Sequence, residues 1–202
     1  MEWKDISIRQ YQSVCRELSE KYDDDLERSI GLLSSLTGKP ISYYLDEVPI
    51  NELKKQINGI AFLSSPVPKI KLKSKVKING RRFRFNLNMR TINAGGYIDL
   101  TELVKDKDKI NDNLQTILAV MCKEVDFWGR DKKTEVLEIA KFMHDNMTMP
   151  YVLSYTGFFL SNYQKLTNAT RVYLERERKR MRKVVSQVVS QSLSDIGDGT
   201  IL

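Results

Sequence analysis

The sequence predicts a mainly α fold: a multi-helix domain with one inserted β-hairpin and a long C-terminal helix. Three observations predict it. Apolar residues recur at three- and four-residue spacing over most of the 202 residues, as they do in helices that bury one face. One stretch, Lys69 to Met89, instead alternates residue by residue around Asn79-Gly80, as a hairpin does. From Thr148 a helical pattern continues past Leu193, well beyond the 10 to 14 residues or so of an average helix.

The elements follow in chain order. Residues 7 to 20 read as a helix with Ile8, Tyr11, Cys15 and Leu18 on one face and Ser7 as N-cap. Asp23-Asp24-Asp25 opens a second helix near Leu26 to Leu36, since acids suit the positive end of the helix dipole. Gly38 and Pro40 stop it. Two short helices are expected next, one from Ser42 through Val48 and one opened by Pro49, with Leu53, Ile57 and Ile60 inward. Ser64 to Pro68 is a break.

In the hairpin, Ile70, Leu72, Val76 and Ile78 alternate with Lys69, Lys71, Lys73, Lys75 and Lys77 before the turn. Phe83, Phe85, Leu87 and Met89 alternate with Arg82, Arg84, Asn86 and Asn88 after it. One face is apolar and the other carries five lysines and two arginines without an acidic residue. The apolar face is expected to pack on helices near 97–121 and 151–163, because an isolated hairpin is marginal in water.

After the hairpin the pattern predicts helices over Ala94 to Lys105, Asn111 to Lys123 and Thr134 to Asn146. Phe127-Trp128-Gly129 is expected to be an aromatic-bearing turn. Thr148-Met149-Pro150 starts the last helix. Its first half is aromatic and apolar. Arg171 to Lys183 is strongly basic, and Val184-Val185 and Val188-Val189 form a narrow seam suited to a partner helix. Three segments result: a helical module over 1–65, a hairpin and helical core over 66–165, and a basic arm and tail over 166–202.

Hydrophobic residues at 41% and charged residues at 29% fit an ordinary soluble globular protein. The net charge of +7 and pI near 9.3 favour an anionic partner. MEWKDISIRQ has no apolar signal-peptide region, and no window approaches a membrane span. Cys15 and Cys122 lie in apolar-periodic segments and read as free thiols, so an intracellular protein is expected.

Catalytic and metal chemistry find little footing, and no enzyme, metal site or cofactor is expected. His144 is the single histidine and reads as a structural, partly exposed one. Cys15, Cys122 and His144 do not form a zinc ligand set. Asp23 to Asp25 lack the further oxygens of a calcium loop. Asn93-Ala94-Gly95-Gly96 lacks a full phosphate-loop pattern.

The candidate partner-binding residues are therefore surface cations and the seam. On the hairpin they are Lys69, Lys71, Lys73, Lys75, Lys77, Arg82 and Arg84; on the arm, Arg176, Arg180, Val184, Val185, Val188 and Val189. The hairpin face is either a solvated face that blocks edge pairing or a surface for an acidic protein or nucleic acid. Because Phe83 and Phe85 point away from Arg82 and Arg84, the alternation disfavours stacking of single-stranded bases.

A family resemblance rests on a succession of short motifs. They are Leu-Thr-Gly-Lys-Pro at 36–40, Lys-Ile-Asn-Gly-Arg-Arg-Phe at 77–83, Ala94 to Leu100, Ile117 to Val120, and Gly157-Phe158-Phe159-Leu160. This order, over roughly residues 5 to 180, resembles tail and baseplate assembly proteins of tailed bacteriophages, including the T4-type baseplate hub family and related tail assembly chaperones. Residues 122–130, CKEVDFWGR, depart from it by lacking the proline often found after the preceding helix in similar proteins. The resemblance implies a non-enzymatic virion or assembly role, with hub, tape-measure or tail components as partners; the valine seam, read from the residues, offers another subunit as a further partner. It also implies a place in the cytoplasm of the infected host or in the virion. The alternative is a nucleic-acid-binding protein using the basic hairpin and C-terminal helix.

Overall fold

The computed structural model describes residues 1–197; at positions 90, 107, 166, 169, 170, 173, 174 and 182–197 it describes the backbone alone. The chain is mainly helical, with a small three-stranded antiparallel sheet. It divides into two compact units, Met1–Phe158 and Phe159–Leu202.

The first unit opens with α1 (Ile8–Ser19) and α2 (Asp25–Thr37). Ser7 caps α1 through a reciprocal box: its hydroxyl accepts from the Gln10 amide at 3.3 Å, and its amide donates to the Gln10 side chain at 3.0 Å. The inner face of α1 is Ile8, Gln12 and Val14, with Tyr11 half-buried; Leu18, expected inward, is exposed. Gly38 ends α2 at φ 73° and returns its amide to the Ser34 carbonyl at 2.8 Å, as a left-handed cap requires. A π-helical turn over Tyr43–Glu47 and α3 (Ile50–Asn58) follow, burying Tyr44 and Leu53.

The hairpin forms around the predicted turn. Strand β1 (Lys75–Ile78) pairs antiparallel with β2 (Arg81–Phe85), with Ile78 opposite Arg81. Asn79 and Gly80 take φ of 38° and 83°, the two positive angles of a type I′ turn.

Two expectations for this region are corrected. First, Lys69 to Lys73 are not strand. Their backbone is claimed by the last helix instead. The Ile70 amide donates to Ser154 Oγ at 3.1 Å, and the Lys73 amide donates to the Tyr155 hydroxyl at 3.1 Å. That hydroxyl donates in turn to the Lys73 carbonyl. Second, the helix expected over Asn111 to Lys123 stops early. A 3₁₀ turn (Asn111–Asn113) leads into α5 (Leu114–Val120), and Cys122–Val125 then becomes β3, antiparallel to β2.

α4 (Ala94–Lys105) occupies the predicted span, capped by Asn93 Oδ1 accepting from the Gly96 amide at 2.8 Å. α6 (Val136–Asn146) buries Ile139, Ala140 and Met143, while Val136 and Leu137 are exposed. α7 (Met149–Gly197) begins where the Met149 amide donates to the Ile6 carbonyl at 2.9 Å. That bond ties the helix start to the strand-like segment before α1.

The apolar face of the sheet meets the helices through ring contacts. Phe85 stacks on Tyr155 at 4.1 Å between centroids, and Phe83 lies 5.4 Å from Phe142. Phe83, Phe85, Leu118, Met143, Val152 and Tyr155 belong to one buried cluster with Ile8, Ile30, Leu36 and Tyr44. The hairpin is therefore supported by α5, α6 and α7. Residues 159–197 of the second unit are helical throughout. Within it, Phe159 and Tyr163 place their rings 5.8 Å apart. Among the described residues no helix is long and apolar enough to cross a membrane.

Candidate functional site

Strand pairing sorts the charged side chains onto faces. Directly opposed residues share a face, so Lys75, Arg84 and Lys123 lie in one row and Lys77, Arg82 and Val125 in the next. This is the basic face of the sheet. It holds Lys75, Lys77, Arg82 and Arg84 together, as the alternation implies, and adds Lys123 from β3. Lys69, Lys71 and Lys73 are exposed on the lead-in segment outside the sheet.

Like charges opposed across strands repel, and Arg84 faces Lys123. Asp131 resolves the conflict by pairing with both, with Lys123 Nζ at 3.4 Å. Asp131 reaches this point because β3 continues into a tight reversal. The Asp126 amide donates to the Arg130 carbonyl at 2.9 Å, and the Gly129 amide donates to the Asp126 carbonyl at 3.1 Å. Gly129 takes φ 82°, and a side chain there would sit 3.7 Å from Lys75 Nζ. Asp126 receives the Arg130 backbone amide at 2.8 Å, which holds its carboxyl below the usual range.

The reversal carries Phe127 and Trp128 to the basic face. They are 72% and 78% exposed and meet edge to face at 5.5 Å. Arg82 holds the loop in place: its guanidinium lies 4.5 Å from the Phe127 ring centroid, and Nη1 donates to the Phe127 carbonyl at 3.0 Å. Arg84 donates to the Gly129 carbonyl at 3.5 Å and pairs with Asp131. The two arginines are thus half-buried supports of an aromatic tip. By contrast, no ion pair involves Lys69, Lys71, Lys73, Lys75 or Lys77 among the described residues. A cleft of about 330 Å³ lies between the tip and β1, lined by Lys75, Lys77, Arg82, Val125, Phe127 and Trp128 among others.

The opposite face anchors this assembly. Glu124 stands opposite Phe83 on the core side, with its side chain 5% exposed. It pairs with Arg81, accepts from Lys132 Nζ at 2.8 Å and accepts from Thr134 Oγ1 at 3.0 Å. Arg81 also reaches Glu138 at 3.1 Å. The Arg81 hydrogen bond, with Lys132 and Thr134, holds the Glu124 carboxyl down at about 2. A buried carboxylate with three donors stays ionised because each lone pair it exposes to low dielectric is satisfied.

The remaining predicted residues lie elsewhere. Arg176 and Arg180 are exposed on α7, with Arg180 3.7 Å from Glu177. The side chains of Val184, Val185, Val188 and Val189 lie outside the described residues. His144 is half-buried, with Nε2 3.0 Å from Gln12 Oε1 and Nδ1 3.3 Å from Asp145, which is the structural role expected of it. Cys122 is buried, and desolvation pushes its thiol up to about 12; Cys15 is half-buried. No cluster of metal-ligating side chains occurs among the described residues.

The aromatic turn was visible in the sequence, but its union with the hairpin cations was not. Its signal was Asp126-Phe127-Trp128-Gly129-Arg130 itself, a glycine-ended turn flanked by opposite charges. No protein-family model matches the chain, and no curated protein or solved structure matches it either.

Proposed function

We propose that this chain is a non-enzymatic bacteriophage structural or assembly protein of the tail or baseplate type, acting through protein–protein contacts either within the virion or as an assembly chaperone. The observation that carries this reading is the pair Phe127 and Trp128, exposed at a braced tip beside Lys75 and Lys77, which have no acidic partner among the described residues. Tryptophan, tyrosine and arginine dominate binding hot spots, and a rigid tip loses little entropy on docking. The lysines steer an acidic surface toward the tip, and the rings supply the apolar area that is buried on contact. The order of motifs from Leu36 to Leu160 supports the phage assignment, with hub, tape-measure or tail components as partners.

The test is purification from the native context under mild salt with nuclease, followed by mass determination of co-eluting material. A stoichiometric phage structural protein or a defined ring is expected. A bare monomer, or loss of all bound material with nuclease, refutes the reading.

A second reading, nucleic-acid binding, gains from one observation. The hairpin's own phenylalanines do face the core, but Phe127 and Trp128 come from the reversal after β3 and sit beside Arg82, Lys75 and Lys77. Stacking needs aromatics next to cations, and this neighbourhood supports the second reading. Steep loss of binding as salt rises is its signature.

A further inference from the structure

We infer that the cleft at the Phe127–Trp128 tip receives an acidic, extended segment of a partner protein, which adds a strand to the free edge of β1 and inserts one large apolar side chain. This rests on the protein-contact reading above and specifies its partner chemistry.

The edge argument comes from pairing. The Phe85 amide donates to the Ser74 carbonyl at 2.8 Å. Hydrogen-bonded and non-bonded pairs alternate along an antiparallel ladder. Val76 and Ile78 therefore bond inward to β2, and the backbone groups of Lys75 and Lys77 face outward. Since the sheet order is β1-β2-β3, that side is an edge. Among the described residues no backbone partner is recorded for Lys75 or Lys77 on it.

The chemistry of the edge selects the occupant. Lysines on an edge repel a like edge, so a second copy of β1 is excluded by its own Lys75 and Lys77. An acidic segment instead neutralises them while it pairs. In strand addition the main chain gives affinity and alternate side chains find pockets. The cleft volume of about 330 Å³ sits at the bottom of the roughly 300–1,000 Å³ range of ligand pockets. That suits a single large side chain between Val125, Phe127 and Trp128, and leaves no room for a bulky cofactor.

The test uses the full chain carrying Trp3→Phe, so that Trp128 is the sole indole reporter. The probe is a synthetic peptide of about 12 residues, rich in Asp and Glu, with one central Phe; the controls are the same peptide with Ser for Phe, and an oligothymidylate of equal charge. Expected are a saturable change in Trp128 emission, slowed amide exchange at Lys75 and Lys77, and binding weakened roughly tenfold or more by Lys75→Glu with Lys77→Glu or by the Ser control. Equal binding of the Ser control, unprotected amides at Lys75 and Lys77, or no saturable binding overturns the inference. A phage partner that co-purifies and is retained by Trp128→Ala overturns this site but spares the assembly reading. Tighter binding of oligothymidylate than of the peptide counts against both.

Discussion

Replacing Glu124 with Gln tests how the aromatic tip is anchored. The substitution keeps the shape of a side chain that is 5% exposed and removes the charge that Arg81, Lys132 and Thr134 address. The carboxyl is held at about 2 against an ordinary 4.5. A depressed carboxylate contributes stability above its unfolded pKa and loses it as pH falls through the folded value. At pH 7 the difference between those two values corresponds to about 3 kcal/mol. At pH 3 both states are partly protonated, and the same linkage leaves about 1 kcal/mol. Urea unfolding of the native chain and Glu124→Gln, followed by far-UV circular dichroism at both pH values, should show a gap of about 3 kcal/mol that shrinks by about 2 kcal/mol on acidification. Other carboxylates titrate in both proteins and cancel. A gap below about 1 kcal/mol at pH 7, or one unchanged at pH 3, would refute the argument that this buried charge is stabilised by its donors.

In the Trp3→Phe chain, Arg82→Ala should cost about 1 kcal/mol or less of stability, yet lower the fluorescence anisotropy of Trp128, because the guanidinium braces the Phe127 ring and carbonyl; unchanged anisotropy would show that the loop holds itself. Phe85→Ala should cost about 3–5 kcal/mol in urea unfolding, since Phe85 is buried and stacked on Tyr155, and a cost under about 1 kcal/mol would mean the sheet does not lean on α7. Gly80→Ala meets no neighbouring atom and is penalised by its φ of 83° alone, so about 1–2 kcal/mol is expected in the same assay. Cys122, buried and pushed up to about 12, should resist a disulfide reagent at pH 8 until denaturant is added, while Cys15 reacts in the native protein; rapid reaction of both thiols counts against this burial.

Much of the fold is legible wherever a signal is local. Ser7 with Gln10, Gly38 after α2, Asn93 before α4 and the Asn79-Gly80 turn are each settled within a few residues. Backbone capping and positive φ depend on neighbours in the chain, so these boundaries are visible without any tertiary contact. The sequence misled where a local pattern has a distant competitor. Lys69 to Lys73 alternate as a strand should, but Ser154 and Tyr155 take their amides and carbonyl. Leu18, Val136 and Leu137 fit helical periodicity and yet face outward, because spacing gives the phase of a helix face but not how wide a stripe the neighbours cover.

The sequence by itself determined the helical class, the hairpin with its turn, and the presence of a lysine-rich surface, since periodicity and turn chemistry are properties of short stretches of chain. Only the tertiary structure decided that Cys122–Val125 joins that hairpin as a third strand. That pairing brings Phe127 and Trp128 beside cations some 50 residues earlier and turns Arg82 and Arg84 from free charges into braces. A four-residue strand has no identity apart from its partner, so the face that carries the proposed contact exists in the pairing of β2 with β3 and in no single segment.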